Sequence, residues 1–295
     1  MSRSQGAPET LDRALLDRSF ALPHVPEDGD KQDRGVLLVV GGSRELAGAA
    51  LLAGVAGLRA GAGKLQIATA ASTAVQLAIA VPEARVVGFE ETEQGCLAPG
   101  EDLVGLAEGT QAVTLGCGLE PGPPLGEMLD GLLASGFDMP LVLDAAALGA
   151  LPPRAEALRA WKGGAILLPH QGEMARLLEC DKDEVDSDPL AAARLAADRF
   201  NAVALIKGRY SFIAAPDGRA FRYQGGGVGL ATSGSGDVLA GIVGGLAARG
   251  ADPLTATLWG VYLHGEAGRM LSAEVGRVGF LARDLSALVP ELMAG

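Results

Sequence analysis

The stretch Gly35-Val36-Leu37-Leu38-Val39-Val40-Gly41-Gly42-Ser43 is the clearest single indication of the fold. A compact run of Val and Leu that ends in Gly-Gly-Ser is typical of a buried strand leading into a turn. An Ala/Gly/Leu-rich helix is predicted directly after it, at residues 46–60. The run Gly61-Ala62-Gly63 is typical of a helix end, and the next strand is predicted at residues 64–69.

The alternation of strand and helix continues along the chain. Compact apolar runs predict strands at residues 111–115, 141–143, 165–168 and 202–206. Longer segments predict helices at residues 125–134, 171–179, 189–200, 238–249 and 254–271. Residues 211–215 and 219–223 flank Pro216-Asp217-Gly218, which is typical of a hairpin. We therefore predict an α/β fold with a mostly parallel central sheet, helices on both faces and a small antiparallel hairpin.

The first 34 residues are polar and irregular, and they predict a short helix near residues 11–20 followed by a loop over residues 23–34. No repeat, low-complexity tract or linker follows. We therefore predict an N-terminal helix and loop at residues 1–34 and a single domain at residues 35–295.

Composition limits the classes of partner. The chain has 295 residues, of which 48% are hydrophobic, enough for one large core. Its net charge of -12 disfavours nucleic acid as a partner. An anionic substrate would need backbone N–H groups or a few basic side chains to bind it.

Cysteine spacing and hydropathy predict the cellular context. Cys96, Cys117 and Cys180 lie far apart, which suits neither a zinc site nor a disulfide framework. No side chain is predicted to bind a metal. The longest apolar stretch, near residues 46–58, is too short to span a membrane. We expect a cytoplasmic protein that does not contact a membrane.

The strongest functional motif is Ser233-Gly234-Ser235-Gly236-Asp237 in front of a helix of small residues. A Gly-rich turn that opens a helix directs several backbone N–H groups at one point, and with the helix dipole they form an anion site. We assign this anion hole to Gly234, Ser235 and Gly236. Asp237 in the first turn is the candidate catalytic base for phosphoryl transfer. The alternative is that Asp237 only interacts with the helix dipole and the glycines only permit packing.

Other candidate residues follow the predicted strands. They are the Gly41-Gly42-Ser43 turn, residues 116–118, Asp144, His170 and Lys207. Ligands of open parallel sheets bind beyond the carboxyl ends of the strands, so these residues predict one site at that edge. Neither a Walker loop nor a Gly-x-Gly-x-x-Gly after the first strand is present.

The order of these motifs resembles the NAD(P)H-hydrate dehydratases, a branch of the ribokinase-like superfamily. The matching pieces cover nearly the whole chain from Gly35 and are specific in combination. They include Val39-Val40-Gly41-Gly42-Ser43, Gly116-Cys117-Gly118-Leu119, Leu143-Asp144-Ala145-Ala146-Ala147-Leu148, Pro169-His170-Gln171-Gly172-Glu173, Ile206-Lys207-Gly208, Gly229-Leu230-Ala231-Thr232-Ser233-Gly234-Ser235-Gly236-Asp237 and Tyr262-Leu263-His264-Gly265.

The resemblance implies a ribokinase-like fold and the repair of hydrated NADH or NADPH by a hydro-lyase. ADP, or ATP, would be the co-substrate together with Mg²⁺, and the products would be NAD(P)H, AMP and phosphate. The resemblance also implies a homo-oligomer, with a tetramer favoured.

The resemblance also implies roles for individual residues. Ala49, Gly118, His170 and Asp237 would contact the hydrated dinucleotide. The nucleotide would be held by Lys207, Gly208, Arg209, Tyr210, Ser211 and Gly236. For His264 and Glu173 we favour structural roles, in the core and at a helix cap respectively.

Two other functions stay open from the sequence alone. Gln171 and Cys117 stand where relatives commonly have Pro, and residues 223–227 replace a usual Asn-Pro-Thr-Gly-Asn. The departures at residue 171 and at residues 223–227 motivate a non-catalytic nucleotide-binding protein as one alternative. The other is an ATP-dependent small-molecule alcohol kinase of the same superfamily.

Overall fold

A ten-stranded sheet runs through the computed structural model, which describes residues 6–24, 30–98 and 102–294. The strands lie in the order β1-β10-β9-β8-β7-β6-β5-β2-β3-β4. All neighbours are parallel except β8 with β9 and β9 with β10. The strands are β1 (Glu9–Thr10), β2 (Val36–Val40), β3 (Lys64–Ala70), β4 (Ala84–Phe89), β5 (Ala112–Leu115), β6 (Leu141–Leu143), β7 (Ala165–Leu167), β8 (Ala202–Ile206), β9 (Ser211–Ala214) and β10 (Ala220–Tyr223).

Helices cover both faces of the sheet. They are α1 (Arg13–Ser19), α2 (Ala47–Arg59), α3 (Ala71–Ala80), α4 (Leu103–Ala107), α5 (Pro123–Ala134), α6 (Ala146–Gly149), α7 (Ala155–Arg159), α8 (Gln171–Leu178), α9 (Lys182–Ser187), α10 (Pro189–Phe200), α11 (Ser235–Ala248), α12 (Pro253–Glu274) and α13 (Ala282–Ala294). The mostly parallel sheet, the flanking helices and the hairpin of β9 and β10 confirm the predicted fold class.

The central strands β2, β5, β6, β7 and β8 are buried on both sides, which explains their uninterrupted apolar sequences. Along β2, Leu37 and Val39 belong to the core on one face, whereas Leu38 and Val40 belong to the core on the other. The N-terminal segment joins this body, because β1 pairs with β10 and Leu15 and Leu16 of α1 are buried.

Small residues allow α2 and α11 to touch backbone to backbone. A Cβ atom on Gly241 would lie 2.1 Å from the carbonyl oxygen of Ala53, and one on Gly245 would lie 2.3 Å from that of Gly57. This close contact sets the first turn of α11 over the carboxyl end of the sheet, where the predicted site lies.

The structure corrects the predicted start of α11. The helix begins at Ser235 rather than at residue 238, because Gly234 takes a left-handed conformation (φ +85°) as its N-cap. Asp237 is therefore the third residue of the helix. None of the helices in the described ranges is both long and apolar enough to cross a membrane.

Candidate active site

The carboxyl ends of three neighbouring strands bring Asp144, His170 and Lys207 together. Asp144 follows β6, and Lys207 pairs with His170 in a short parallel bridge beyond β7 and β8. Lys207 Nζ lies 2.8 Å from Asp144 Oδ1. The Asp144 side chain is only 3% exposed, so this is a buried ion pair.

The first turn of α11 faces this ion pair. A Cβ atom on Gly236 would lie 3.5 Å from Lys207 Nζ and 3.7 Å from Asp144 Oδ2. A side chain at this position would therefore fill the space between the helix mouth and the lysine. Glycine keeps that space open for a ligand.

The first turn of α11 leaves N–H groups free to bind an anion. The N–H of Ser235 donates to the carbonyl oxygen of Thr232 (3.2 Å), and that of Val238 donates to Gly234 (3.1 Å). The N–H groups of Gly236 and Asp237 have no hydrogen-bond acceptor within the described parts of the chain. Of the three residues predicted to form the anion hole, Ser235 uses its N–H within the turn, and the binding role of all three stays a prediction.

His264 forms hydrogen bonds with Ser235, the first residue of α11. Its Nε2 lies 2.9 Å from Ser235 Oγ and 3.1 Å from the Ser235 carbonyl oxygen. Burial lowers the pKa of His264 to about 4, so the ring is neutral at pH 7. The prediction that His264 is a core residue with satisfied hydrogen bonds is confirmed.

Asp237 occupies a different side of the same turn. Burial is the main cause that raises its pKa, the charge of Asp144 adds to it, and the result is about 6. A hydrogen bond from the Cys117 thiol and the charge of Lys207 act in the opposite direction. A carboxylate with this pKa is ionised at neutral pH and still basic enough to accept a proton.

The charges of the ion pair follow from the same surroundings. Burial opposes the positive charge of Lys207, but attraction by Asp144 and Glu173 outweighs burial and raises the pKa of Lys207. Burial raises the pKa of Asp144, and Lys207 counteracts that shift. Lys207 is therefore a cation beside the free amides of α11.

A cavity of about 970 Å³ opens next to the helix mouth. Among the residues predicted from the sequence, its walls include His170, Lys207, Gly208, Arg209, Ser211 and Gly236. Tyr210 does not line this cavity, and its ring lies between Arg209 and Arg222 at 5.9 and 5.6 Å from their guanidinium carbons. Tyr223 from the divergent segment forms part of the wall, and its hydroxyl donates to Glu266 Oε1 (3.0 Å).

Ala49 and Gly118 lie together on the Cys117 side of the turn. A Cβ atom on Gly118 would be 2.7 Å from the Cβ of Ala49, so the two residues are in direct contact. Gly118 has φ +67°, a conformation that glycine adopts without strain. Of the four residues predicted to bind the dinucleotide, Ala49, Gly118 and Asp237 thus cluster through Cys117, whereas His170 lies at the large cavity.

His170 also has a structural role. Its Nδ1 accepts from the N–H of Gly172 (3.0 Å) and of Glu173 (3.3 Å), and Glu173 Oε2 accepts from the His170 N–H (2.9 Å). This is a capping box at the start of α8, which confirms the predicted capping role of Glu173. Its Nε2 lies 3.5 Å from Glu173 Oε1, so Glu173 contacts both the backbone and the ring of His170.

Sequence reasoning did not find two features of the site. Asp144 was noted only as a residue at a strand end, and its ion pair with Lys207 was not predicted. The contact of Cys117 with Asp237 was also missed, since nothing in the sequence places a helix mouth against the turn after β5.

Solved structures identify the class of this fold. The structure resembles a ribokinase-like superfamily protein from Enterococcus faecalis with a TM-score of 0.81 and 26% identity, covering 97% of this chain and 95% of that one. The sheet, the Gly-rich helix mouth and its carboxylate therefore belong to a ribokinase-like protein.

The chain belongs to the NAD(P)H-hydrate dehydratase family, whose profile matches residues 37–291. An ADP-dependent (S)-NAD(P)H-hydrate dehydratase of Xanthomonas campestris pv. campestris is 46% identical over 278 residues, which are 92% of this chain and 93% of that protein. The ADP/ATP-dependent NAD(P)H-hydrate dehydratase of Bacillus subtilis, co-crystallized with ATP/Mg²⁺, has a TM-score of 0.78 and 30% identity, with 92% and 94% of the two chains covered.

Proposed function

We propose that the protein catalyses the ADP-dependent dehydration of hydrated NADH or NADPH to NAD(P)H, with AMP and phosphate as the other products. One observation carries this proposal. The Asp237 carboxylate, with a pKa of about 6, lies in the first turn of α11. The neighbouring Gly236 has a free N–H group and lies beside the Lys207 ammonium. Membership of the dehydratase family supports it.

Asp237 starts the reaction by accepting a proton. The hydroxyl of the hydrated nicotinamide ring is a poor leaving group as hydroxide. Once Asp237 takes its proton, the oxygen attacks the β-phosphorus of ADP, and AMP departs. The phosphate ester then loses phosphate together with a ring proton, which restores the double bond. The same groups would transfer the terminal phosphoryl group of ATP.

The nucleotide occupies the 970 Å³ cavity in this proposal. Lys207 and the free N–H groups of Gly236 and Asp237 face the transferring phosphoryl group and stabilise the charge on its oxygens. Gly208, Arg209 and Ser211 line the remainder of the nucleotide site, and Tyr210 supports Arg209 from behind. His170 also lines this cavity and would donate to a phosphate or ribose oxygen of the hydrated dinucleotide.

Magnesium fits this site as a companion of the nucleotide. The described residues contain no group of three side chains from His, Cys, Asp and Glu that would hold a metal. Mg²⁺ usually binds through phosphate oxygens, water and one or two carboxylates, so it does not need such a group. Bound in this way, it would neutralise phosphate charge.

We also propose that copies of this chain assemble through α3, as a homo-oligomer with a tetramer favoured. The helix has no charged residue, yet Val75 and Ile79 are 68% and 77% exposed on one side of it. Copies with a net charge of -12 repel one another over most of their surface, and an uncharged apolar helix avoids that repulsion.

The proposed activity is tested by mixing the protein with hydrated NADH or NADPH, Mg²⁺ and either ADP or ATP, and by following the absorbance of reduced nicotinamide. We expect recovery of NAD(P)H, with AMP formed from ADP. A stable phosphorylated product with ATP would instead indicate a small-molecule kinase. Nucleotide binding without any turnover would indicate a binding protein.

A further inference from the structure

A second cavity, of about 230 Å³, lies beyond Gly118. It shares no lining residue with the nucleotide cavity. One wall is apolar and is formed by Leu97, Leu119, Pro121, Pro123, Leu125 and Met128. This wall includes flat proline surfaces and aliphatic side chains, which suit a planar ring.

The chain connects this cavity directly to the catalytic turn. Cys117 contacts the Asp237 carboxylate, Gly118 packs against Ala49, and Leu119 and Glu120 line the cavity. Three residue steps span about 10 Å at most. A ligand whose reacting ring meets Asp237 can therefore reach this cavity along residues 117–120.

Polar groups around the cavity select the kind of ring. Glu120, Thr92 and Gln94 contribute to its lining. The Glu120 carboxylate accepts hydrogen bonds and repels phosphates. An uncharged heteroaromatic ring with an amino donor suits this combination, whereas a pyrophosphate does not.

We propose that this cavity binds the adenine ring at the far end of the hydrated dinucleotide. The proposal rests on the proposed function, because it requires the hydrated nicotinamide ring to lie at Asp237. The two riboses and the pyrophosphate then lie between Asp237 and the cavity, along Cys117 and the contact between Ala49 and Gly118. The Glu120 carboxylate accepts a hydrogen bond from the amino group of adenine.

The test compares two substrates that differ only in the adenylate half. These are hydrated NADH and hydrated reduced nicotinamide mononucleotide, each with ADP and Mg²⁺. Gln94 is an exposed residue of the cavity lining, so Gln94→Trp adds a large ring beside the cavity, and Glu120→Ala removes the acceptor. Gln32→Trp is the matched control, because Gln32 is exposed before β2, at the opposite edge of the sheet.

We expect both cavity variants to lower kcat/KM for hydrated NADH about 10-fold, a loss typical of one hydrogen bond to a charged group. They should leave kcat/KM for the mononucleotide hydrate and KM for ADP at wild-type values, and an unchanged KM for ADP also shows that the variants fold. Equal effects on both substrates, or no effect on hydrated NADH, would overturn the inference. Failure of the wild-type protein to restore either reduced nicotinamide would instead overturn the proposed function.

Discussion

At the scale of single residues, the surroundings of Asp237 make its carboxylate a stronger base, and they lower the stability of the fold when the carboxylate is ionised. Burial and the neighbouring charge of Asp144 both oppose its ionisation and raise its pKa to about 6. An ordinary exposed aspartate is a weaker base, because its pKa is near 3.9. The fold therefore holds a carboxylate that accepts protons well near neutral pH.

The charge of Asp144 should be visible in the pH dependence of turnover. Wild-type kcat/KM should rise with pH through about 6 as Asp237 loses its proton. Asp144→Asn removes the negative charge that raises this pKa, so the rise should occur at lower pH. The measurement is kcat/KM against pH for wild type, Asp144→Asn and the control Asp138→Asn, an exposed residue before β6. An unchanged midpoint in Asp144→Asn would contradict the assigned electrostatics.

The same raised pKa predicts how stability depends on pH. A carboxyl group with a higher pKa in the folded state binds its proton more tightly there, so ionisation favours unfolding. The penalty is absent well below about pH 4 and complete above about pH 6.

Asp237→Asn should therefore raise the free energy of unfolding at about pH 8, by at most about 3 kcal/mol. The gain should shrink as pH falls toward about 4. Urea unfolding of both proteins at the two pH values measures it. A gain that grows on acidification would show that Asp237 is not held in a charge-opposing environment.

The sequence predicts some of these residues better than others. Asp237 and Lys207 could be proposed from the sequence because a Gly-rich helix start and a lysine at a strand end are both visible in the local sequence. The ion pair of Asp144 with Lys207 depends on the register of β6, β7 and β8, which no local pattern encodes. The predicted ligand roles of Ala49, Gly118, His170 and the nucleotide residues remain predictions.

At the scale of elements, the glycines of α11 set the position of the helix mouth. Gly241 touches the backbone of α2, so any side chain must push the two helices apart. Gly241→Ala should destabilise the protein by about 1–3 kcal/mol, the usual cost of overpacking.

The control for this change is another glycine inside a helix. A Cβ atom on Gly131 in α5 would meet only a Val104 methyl at 3.7 Å. Gly131→Ala should stabilise the protein by about 0.5–1 kcal/mol. Thermal unfolding of both variants measures the effects, and a neutral Gly241→Ala would show that the helices are not in backbone contact.

Several elements with ordinary sequence patterns were predicted, whereas strand β4 and some helices were missed. The strands at the centre of the sheet and α10 appear at their expected positions. Helix α3 was not predicted, because apolar residues occur on its exposed side as well as its buried side and hide the helical period. Helix α13 was not predicted either, because it contains Pro290, and proline is unusual inside a helix.

At the scale of the whole molecule, the acidic surface limits how copies can associate. The exposed apolar side of α3 is the proposed contact, so Ile79→Glu should place a charge in it and reduce the assembly to smaller species. Light scattering coupled to size-exclusion chromatography measures the mass. Leu195→Glu is the control, because Leu195 is also exposed (55%) but lies on a helix with charged residues. A wild-type monomer, or an unchanged mass for Ile79→Glu, would contradict the proposed interface.

The central claim is that Asp237 takes the proton of the hydrate while the amides beside it hold the transferring phosphoryl group. The most direct measurement is the single-turnover rate of NADH recovery by Asp237→Asn with hydrated NADH, ADP and Mg²⁺, alongside its affinity for ADP. We predict a rate at least about 100-fold below wild type with unchanged ADP affinity, as expected when a general base is removed. Recovery at a rate close to that of wild type would show that another group takes the proton.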